Sequence, residues 1–260
     1  MKIYVNCDRY NQKAIKTREK IIDACEKYNI EITDNPHQAK LICSIGGDGT
    51  FLQSSKISPG KAMIGVNCGT LGYLTDINPE DINKAIHDLL DKKYFIEEHM
   101  MLEGEIIKEN GEVIKLQEAL NEIAISKNGF GVVRFDTIVD GKLINSYTAD
   151  GILICTPTGS TAYNLSCGGP IVDPTAKILT LTPIAAHSLL NRSIVFSDKS
   201  VIEIKITELR NNTQAFVLSD GSPLEITTKD TVRIRKSDQI TKIVKLNWQS
   251  FIDTIHEKIK

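Results

Sequence analysis

A glycine-rich turn between a short apolar segment and a predicted helix constrains the fold of this chain more than any other feature. Residues 41–45 form a mostly apolar segment of strand length that leads directly into Gly46-Gly47-Asp48-Gly49-Thr50, and a helix is predicted to follow from Thr50. Glycine lets the backbone approach a ligand closely, and open α/β sheets bind ligands where strands end and helices begin. The pattern therefore predicts a parallel α/β sheet with a ligand site at this turn.

The rest of the chain falls into two parts with different patterns. Up to about residue 96, predicted strands at 3–5, 41–45 and 62–66 alternate with predicted helices at 14–28, from Thr50 and at 79–90, the last opened by Pro79. Beyond it, β-rich segments are separated by hairpin signals such as Asn110-Gly111 and Asp140-Gly141.

These patterns predict an α/β N-terminal Rossmann-like domain with a parallel sheet over residues 1–96, carrying the glycine turn. They predict an all-β C-terminal domain over residues 97–247. A closing helix over residues 248–260 is predicted to pack back on the first domain, because Phe251, Ile252 and Ile255 lie on one side of it.

Asp48 is the unusual residue of the glycine turn. Free amides and the dipole of the following helix favour a phosphate there, and a carboxylate beside phosphate is repulsive unless it binds a metal or accepts a proton. A carboxylate that takes the proton of an attacking hydroxyl suits phosphoryl transfer to an alcohol. The alternative is a tight turn in which Asp48 caps the next helix. The strand and helix on either side favour the first interpretation, and the chain has no P-loop sequence that would favour another phosphate site.

A second cluster, rich in glycine and hydroxyl side chains, spans residues 150–163. It runs from Asp150 through a predicted strand at 152–155 into Thr156-Pro157-Thr158-Gly159-Ser160-Thr161-Ala162-Tyr163. Hydroxyls, exposed amides and one aromatic ring are the groups needed to hold a purine and a ribose. A strand end followed by a helix with Ser160 or Thr161 as N-cap explains the same residues. The residues alone leave both interpretations open.

Composition limits the partners that this chain can have. Its 31 Lys and Arg residues are balanced by 33 Asp and Glu, so no net positive field favours nucleic acid or an anionic membrane. No apolar segment approaches membrane-spanning length, and the N-terminus lacks a signal-peptide core. The six cysteines form no CxxC pair and the five histidines lack metal-ligand spacing. A cytoplasmic protein without nucleic-acid or membrane partners is predicted.

Four sequence blocks together resemble the NAD kinase family. They are GGDGT at 46–50, GVNCGTLGYLTD at 65–76, Asn121-Glu122, and TPTGSTAYNLS at 156–166 followed by Gly168-Gly169-Pro170. The first block is shared with lipid kinases and therefore indicates the reaction type better than the substrate. The last block is far more specific.

The resemblance implies transfer of the γ-phosphoryl group of ATP to the 2′-hydroxyl of the adenosine ribose of NAD, with a divalent cation, Mg²⁺, as cofactor. Its implied partners are NAD, ATP or polyphosphate, and further copies of the chain in a homodimer or homotetramer. Asp48 is implied as the catalytic proton acceptor, and no protein ligand of the metal is identified. The phosphate loop is implied to contain Gly46, Gly47, Gly49 and Thr50. The implied NAD contacts are Asp48, Gly49, Asn121, Glu122, Asp150, Thr161, Ala162, Tyr163, Asn164, Leu165, Ser166 and Ala185.

Two positions depart from the family pattern. Thr148 stands where the family often has a basic residue, and Ser222 where it has glutamine. The resemblance therefore carries over more directly to the adenosine end of NAD than to the distal half. Two other functions stay open, a diacylglycerol- or sphingosine-type lipid kinase that shares GGDGT, and a non-catalytic NAD-binding module in which Asp48 would have no evident purpose.

Overall fold

The protein divides into two compact units. The computed structural model describes residues 1–69, 72–187, 191–211, 213–246 and 250–258. Unit 1 contains residues 1–99 and 239–260, and unit 2 contains residues 100–238. Two long strands, Tyr94–Ile107 and Thr231–Leu246, contribute residues to both units.

Unit 1 is built on a parallel sheet, as the sequence predicted. Its strands are β1 (Lys2–Cys7), β2 (Glu31–Ile32), β3 (Leu41–Gly46), β4 (Ala62–Asn67) and the last part of β16 (Thr231–Leu246), in the order β2-β1-β3-β4-β16. Every residue of β3 is buried, which explains its apolar sequence. Gly46 at the end of β3 pairs with Asn67 at the end of β4, so the loops that follow these two strands leave the same edge of the sheet.

Helices connect and cover these strands. They are α1 (Gln12–Lys27), α2 (Asp48–Ile57) and α3 (Ile82–Leu90), with a 3₁₀ turn at Pro36–Gln38. The Asn11 side chain caps α1 by accepting from the amides of Lys13 and Ala14, at 2.9 and 3.2 Å. The helices predicted at 14–28 and after the glycine turn are confirmed. Each begins two residues earlier than the sequence predicted, at Gln12 and at Asp48.

The third helix starts later than the sequence predicted. Pro79 was expected in its first turn, but α3 begins at Ile82 with Asp81 as the N-cap residue. The amide of Asp81 donates to the carbonyl of Asn78 at 2.9 Å, which places Pro79 at the second position of a β-turn. Proline favours this turn position as strongly as it favours the start of a helix, and the two cannot be separated by residue type alone.

The C-terminal helix belongs to unit 1. Helix α5 (Phe251–Lys258) occupies the middle of the segment predicted as helical, and residues 247–249 and 259–260 lie outside the described residues. Ser250 and Asp253 form reciprocal bonds at its start, since the Ser250 amide donates to Asp253 Oδ2 at 3.0 Å and the Asp253 amide donates to Ser250 Oγ at 3.2 Å.

Unit 2 is built from two antiparallel layers around one apolar core. The strand bounds are β5 Tyr94–Ile107, β6 Val113–Lys115, β7 Glu122–Asn128, β8 Val133–Val139, β9 Lys142–Ala149, β10 Gly151–Cys155, β11 Ile178–Ile184, β12 Ile194–Ser197, β13 Ile202–Leu209, β14 Gln214–Ser219 and β15 Ser222–Ile226. One sheet has the order β12-β11-β10-β7-β14-β15, and the other contains β16, β13, β8 and β9, with β5 and β6 beside them. Buried side chains from both sheets form its core, including Phe135, Tyr147 and Ile125.

The second half of the chain is β-rich rather than all-β. A 3₁₀ turn at Thr158–Thr161 and a short helix α4 (Tyr163–Ser166) interrupt the strands between β10 and β11. This is the hydroxyl-rich segment that the sequence left open between a ligand loop and a capped helix. The hairpins predicted at Asn110-Gly111 and Asp140-Gly141 are confirmed, since they join β5 to β6 and β8 to β9.

Candidate functional site

The glycine turn lies between β3 and α2, where the sequence predicted it. Helix α2 starts at Asp48 with Gly47 as its N-cap residue, and glycine has no side chain that could accept a hydrogen bond from the first amides of the helix. Among the described residues, no atom lies within 4 Å of a Cβ placed at Gly47 or Gly49, so the outer faces of these glycines are open to that part of the chain. An uncapped helix start with open glycines on its rim is suited to bind an anion such as a phosphate.

Gly46 has a different reason to be glycine. A Cβ atom there would overlap the Thr50 side chain, which is buried in the first turn of α2. Farther along this helix, Ser54 Oγ donates to Ser44 Oγ of β3 at 2.9 Å and accepts from Asn6 Nδ2 of β1 at 2.8 Å. These buried contacts fix the helix start against the end of the sheet.

The Asp48 carboxylate is held by the segment that follows β4. Its Oδ2 accepts from the Tyr73 amide at 2.8 Å, and its Oδ1 accepts from the Leu74 amide at 3.1 Å and from Thr75 Oγ1 at 3.3 Å. The helix-capping interpretation of Asp48 is therefore wrong, because the carboxylate binds a segment 25 to 27 residues farther along the chain.

Gly72 makes this arrangement possible. A Cβ atom at Gly72 would overlap both Asp48 Oδ1 and Thr75 Oγ1. Gly65 in β4 has a related role, since a Cβ there would lie 2.7 Å from the Leu74 carbonyl oxygen and 2.9 Å from Thr75 Cα. The block at 65–76 thus binds and orients the Asp48 carboxylate, a role that the sequence did not reveal. Thr70 and Leu71 of this block lie outside the described residues.

In unit 2, two segments fix the main chain of Asn121 and Glu122. Thr156 Oγ1 donates to the Leu120 carbonyl at 2.6 Å, and the Thr156 amide donates to the Asn121 carbonyl at 2.9 Å. A Cβ at Gly159 would overlap the Asn121 carbonyl oxygen, so Gly159 permits this close approach. The second segment contains Asp220, whose carboxylate accepts hydrogen bonds from the amides of Asn121 and Glu122.

The pKa of the Glu122 side chain is shifted strongly by its surroundings. Burial, and then the nearby charge of Asp220, raise the pKa of Glu122 from 4.5 to about 7. Its Oε2 atom is buried without a hydrogen-bond partner among the described residues. A buried acceptor with no partner inside the fold is suited to receive a ligand group.

The segment Thr161 to Ser166 presents some side chains outward and buries others. Tyr163 and Leu165 are 41% and 40% exposed. Asn164 is fully buried, and its side chain donates to the carbonyls of Ser160 and Pro170 and accepts from Thr182 Oγ1 at 2.7 Å. Neither Ser160 nor Thr161 caps α4, whose N-cap residue is Ala162. Ser160 Oγ instead accepts from the Val172 amide at 3.0 Å, which ties the turn to the next loop.

Asp150 and Ala185 are brought together by the β10–β11 pairing. The Asp150 amide donates to the Ile184 carbonyl at 3.0 Å, and the Asp150 carboxylate pairs with Lys127 at 2.5 Å. Ala185 has a φ of 47°, in the left-handed region that costs energy for any residue with a Cβ. The structure thus groups the predicted site residues into two sets, the glycine turn in unit 1 and the remainder in unit 2.

The two departing positions are also described. Thr148 Oγ1 accepts from Arg134 Nε at 3.3 Å across the β8–β9 pair, so a guanidinium lies beside the position where a basic residue was expected. Ser222 is exposed at the start of β15. Within the described ranges, no three His, Cys, Asp or Glu side chains are arranged to hold a metal. In the same ranges, no helix combines the length and apolar character needed to cross a membrane.

Comparison with known proteins gives consistent matches over both units. Family models described as the ATP-NAD kinase N-terminal domain and the ATP-NAD kinase C-terminal domain match residues 5–94 and 120–246. The chain is 33% identical to an NAD kinase of Ruminiclostridium cellulolyticum, over 99% of this chain and 97% of that protein. It is 39% identical to an NAD kinase of Lachnospira eligens, over 86% of this chain and 81% of that protein.

Two solved structures share the fold. A yeast NADH kinase complexed with NADH matches with a TM-score of 0.90 and 21% identity, covering 100% of this chain and 87% of that one. An NAD kinase from Archaeoglobus fulgidus in complex with ATP matches with a TM-score of 0.77 and 24% identity, covering 95% of this chain and 93% of that one.

Proposed function

The chain belongs to the ATP-NAD kinase family, and we infer from this membership that it is a phosphotransferase that uses ATP to phosphorylate NAD. The γ-phosphoryl group passes to the 2′-hydroxyl of the adenosine ribose, giving NADP and ADP. Identity to curated NAD kinases over nearly the whole chain carries this conclusion and sets the lipid kinase aside.

We propose Asp48 as the group that accepts the hydroxyl proton. Its Oδ2 accepts one hydrogen bond from the described residues, and a carboxylate oxygen can accept two, so this atom retains capacity for the ribose hydroxyl. A ribose hydroxyl is a very weak acid, and its proton therefore moves late, as the bond to phosphorus forms. The fixed orientation of the carboxylate supports this role, because a positioned base needs no rearrangement before the reaction.

The uncapped start of α2 supports the proposal that Gly46, Gly47, Gly49 and Thr50 form the phosphate loop. Amides of this turn and the positive end of the helix dipole favour the charged phosphates of ATP. They act by positioning and charge stabilisation, which supply most of the catalysis in phosphoryl transfer.

In unit 2, we propose that Asn121, Glu122, Thr161, Ala162, Tyr163, Leu165 and Ser166 contact NAD. The exposed ring of Tyr163 supports this assignment, as does the Oε2 atom of Glu122, which has no hydrogen-bond partner among the described residues. Asn164 is also part of the proposed site, because its side chain makes three hydrogen bonds within unit 2 that fix the conformation of this segment. Asp150 and Ala185, adjacent through the β10–β11 pairing, are proposed to contact the rest of the dinucleotide.

We propose Mg²⁺ as the divalent cation. The described residues fit a metal that is carried by the phosphates of ATP, because Mg²⁺ commonly needs only one or two protein carboxylates beside substrate phosphates. When bound, it would neutralise phosphate charge. We further propose self-association of the chain and a cytoplasmic location, the latter supported by six free cysteines, which suit a reducing compartment.

One coupled assay tests the function. Purified protein is mixed with Mg²⁺, ATP and NAD, and NADP is read with an NADP-specific dehydrogenase. We expect NADP formation that chelation of the metal abolishes. Asp48→Asn is expected to lower turnover by orders of magnitude with NAD binding retained in calorimetry. NAD binding without NADP formation by the unmodified protein would identify a non-catalytic module, and near-normal turnover of Asp48→Asn would exclude the proposed base.

A further inference from the structure

Asp220 holds a segment that lies about a hundred residues earlier in the chain. It lies in the two-residue turn between β14 and β15. Its Oδ2 accepts from the Leu120 amide at 2.8 Å, and its Oδ1 accepts from the amides of Asn121 and Glu122 at 3.0 and 3.1 Å. Its own amide donates to the Glu122 carbonyl at 3.1 Å. One side chain thus binds three successive amides.

We propose that Asp220 is a positioning residue for dinucleotide binding, acting by fixing the main chain of Asn121 and Glu122 so that their side chains meet the ligand. This inference rests on the proposed function for the identity of the ligand. Charge-assisted hydrogen bonds to main-chain amides are among the stronger bonds in proteins, and three of them on one segment leave it little freedom.

Two segments hold the main chain of Asn121 and Glu122 from opposite sides. On one side, the Thr156 amide donates to the Asn121 carbonyl, and Gly159 leaves room for that carbonyl. On the other side, the Asp220 carboxylate accepts from the amides of Asn121 and Glu122. A loss of the Asp220 carboxylate therefore frees one side of a segment whose other side stays fixed. The expected result is a rotation of Asn121 and Glu122, rather than unfolding of the strand.

Asp220 also acts on Glu122 through its charge. The titratable groups that face Glu122 from the neighbouring elements are Asp220, Cys155, Cys167 and Tyr163. Burial raises the pKa of Cys155, Cys167 and Tyr163, so these groups are neutral near pH 7. The carboxylate of Asp220 therefore supplies negative charge in this set, and its removal lowers the pKa of Glu122.

The chain contains a matched control at Asp140. Asp140 and Asp220 both precede glycine in a two-residue hairpin turn, with φ of 50° and 42°. Asp140 Oδ1 accepts from the Val201 amide at 2.9 Å, and the Asp140 amide donates to the Val201 carbonyl at 3.0 Å. The two aspartates thus make the same kind of bond, but Val201 is not among the proposed ligand-binding residues.

Calorimetry with NAD compares the unmodified protein with Asp220→Asn and Asp140→Asn. Asn-Gly suits the same hairpin turn as Asp-Gly, so both variants are expected to fold. In Asp220→Asn, the new amide group opposes the Leu120 amide, and the Kd for NAD is expected to rise about tenfold to a hundredfold. Asp140→Asn is expected to change the Kd for NAD by less than about threefold.

A pH series separates positioning from a general loss of structure. In the unmodified protein we expect NAD affinity to show an inflection near pH 7 as Glu122 titrates. Asp220→Asn should move this inflection to lower pH, Asp140→Asn should leave it in place, and Glu122→Gln should remove it. If Asp220→Asn does not fold, Asp220→Gly keeps the positive φ and removes the carboxylate, with Asp140→Gly as its control.

Unchanged NAD affinity in folded Asp220→Asn, or an equal loss in Asp140→Asn, would overturn the inference. An inflection that stays in place in Asp220→Asn would also overturn it. The outcomes are separate from those of the proposed function. NAD binding without NADP formation contradicts the kinase activity alone, whereas normal turnover and normal NAD affinity in Asp220→Asn contradict the positioning role alone.

Discussion

The close packing of Gly72 against the Asp48 carboxylate predicts the effect of a substitution at Gly72. In Gly72→Ala, the new methyl group would overlap Asp48 Oδ1 and Thr75 Oγ1, and it would lie 3.1 Å from Asp48 Cγ. Thr75 is buried, with 1% of its surface exposed, and cannot move easily. The carboxylate must therefore shift by about 1 Å to reach an ordinary contact distance.

The expected cost follows from that shift. A displacement of about 1 Å at a reacting group costs on the order of a hundredfold in rate. This corresponds to about 2.7 kcal/mol of activation free energy, which is also the size of one hydrogen bond to a charged group. We expect turnover of Gly72→Ala to fall about a hundredfold, with NAD binding close to that of the unmodified protein.

The coupled NADP assay measures turnover, calorimetry measures NAD binding, and thermal unfolding monitors the fold. Gly69→Ala is the control, because the one contact of a Cβ at Gly69 with the described residues would be to Asn67 Oδ1, at an ordinary 3.9 Å. It lies in the same segment and should retain turnover. If folded Gly72→Ala keeps turnover within about threefold, the segment does not set the carboxylate position and the reasoning is refuted.

Three further predictions concern neighbouring positions. Thr75→Val removes the hydroxyl bond to Asp48 and should lower turnover about fivefold, whereas Thr75→Ser should restore most of it; equal activity of the two variants in the coupled assay would contradict this. Because the folded-state pKa of Glu122 is raised from 4.5 to about 7, the folded protein binds more protons than the unfolded chain between these values. The free energy of unfolding should therefore fall by on the order of 3 kcal/mol as pH rises through this window, and denaturant titration of Glu122→Gln should show no such contribution. Ala185→Gly should raise the free energy of unfolding by about 0.5 kcal/mol, because glycine accepts the positive φ; a lower melting temperature would count against strain at this position.

The sequence predicted the parallel sheet of unit 1 because its signals were local. Residues 41–45 are mostly apolar and lie buried in β3, and the glycine turn that follows marks the strand end. The sequence could not predict that residues 73–75 donate hydrogen bonds to the Asp48 carboxylate. Nothing in the residues of the glycine turn specifies a partner in the segment that follows the next strand. The identity of Gly72 was visible, but its reason lies in three-dimensional proximity to Asp48.

The same limit applies in unit 2. The Asp220-Gly221 pair is a recognisable hairpin signal, yet the contact with Asn121 and Glu122 joins strands separated by about a hundred residues. The start of α3 and the cap of α4 were misplaced for a different reason. Proline and hydroxyl residues fit both turns and helix starts, and tertiary contacts decide between them.

The hydrogen bonds that orient Asp48 matter for protein design. The GGDGT turn does not orient its own carboxylate, because a second loop after the adjacent strand donates the hydrogen bonds that do so. A graft of residues 46–50 onto another α/β scaffold would reproduce an anion-binding turn with an unanchored carboxylate. A functional transplant would need both loops and the two paired strands that set their spacing.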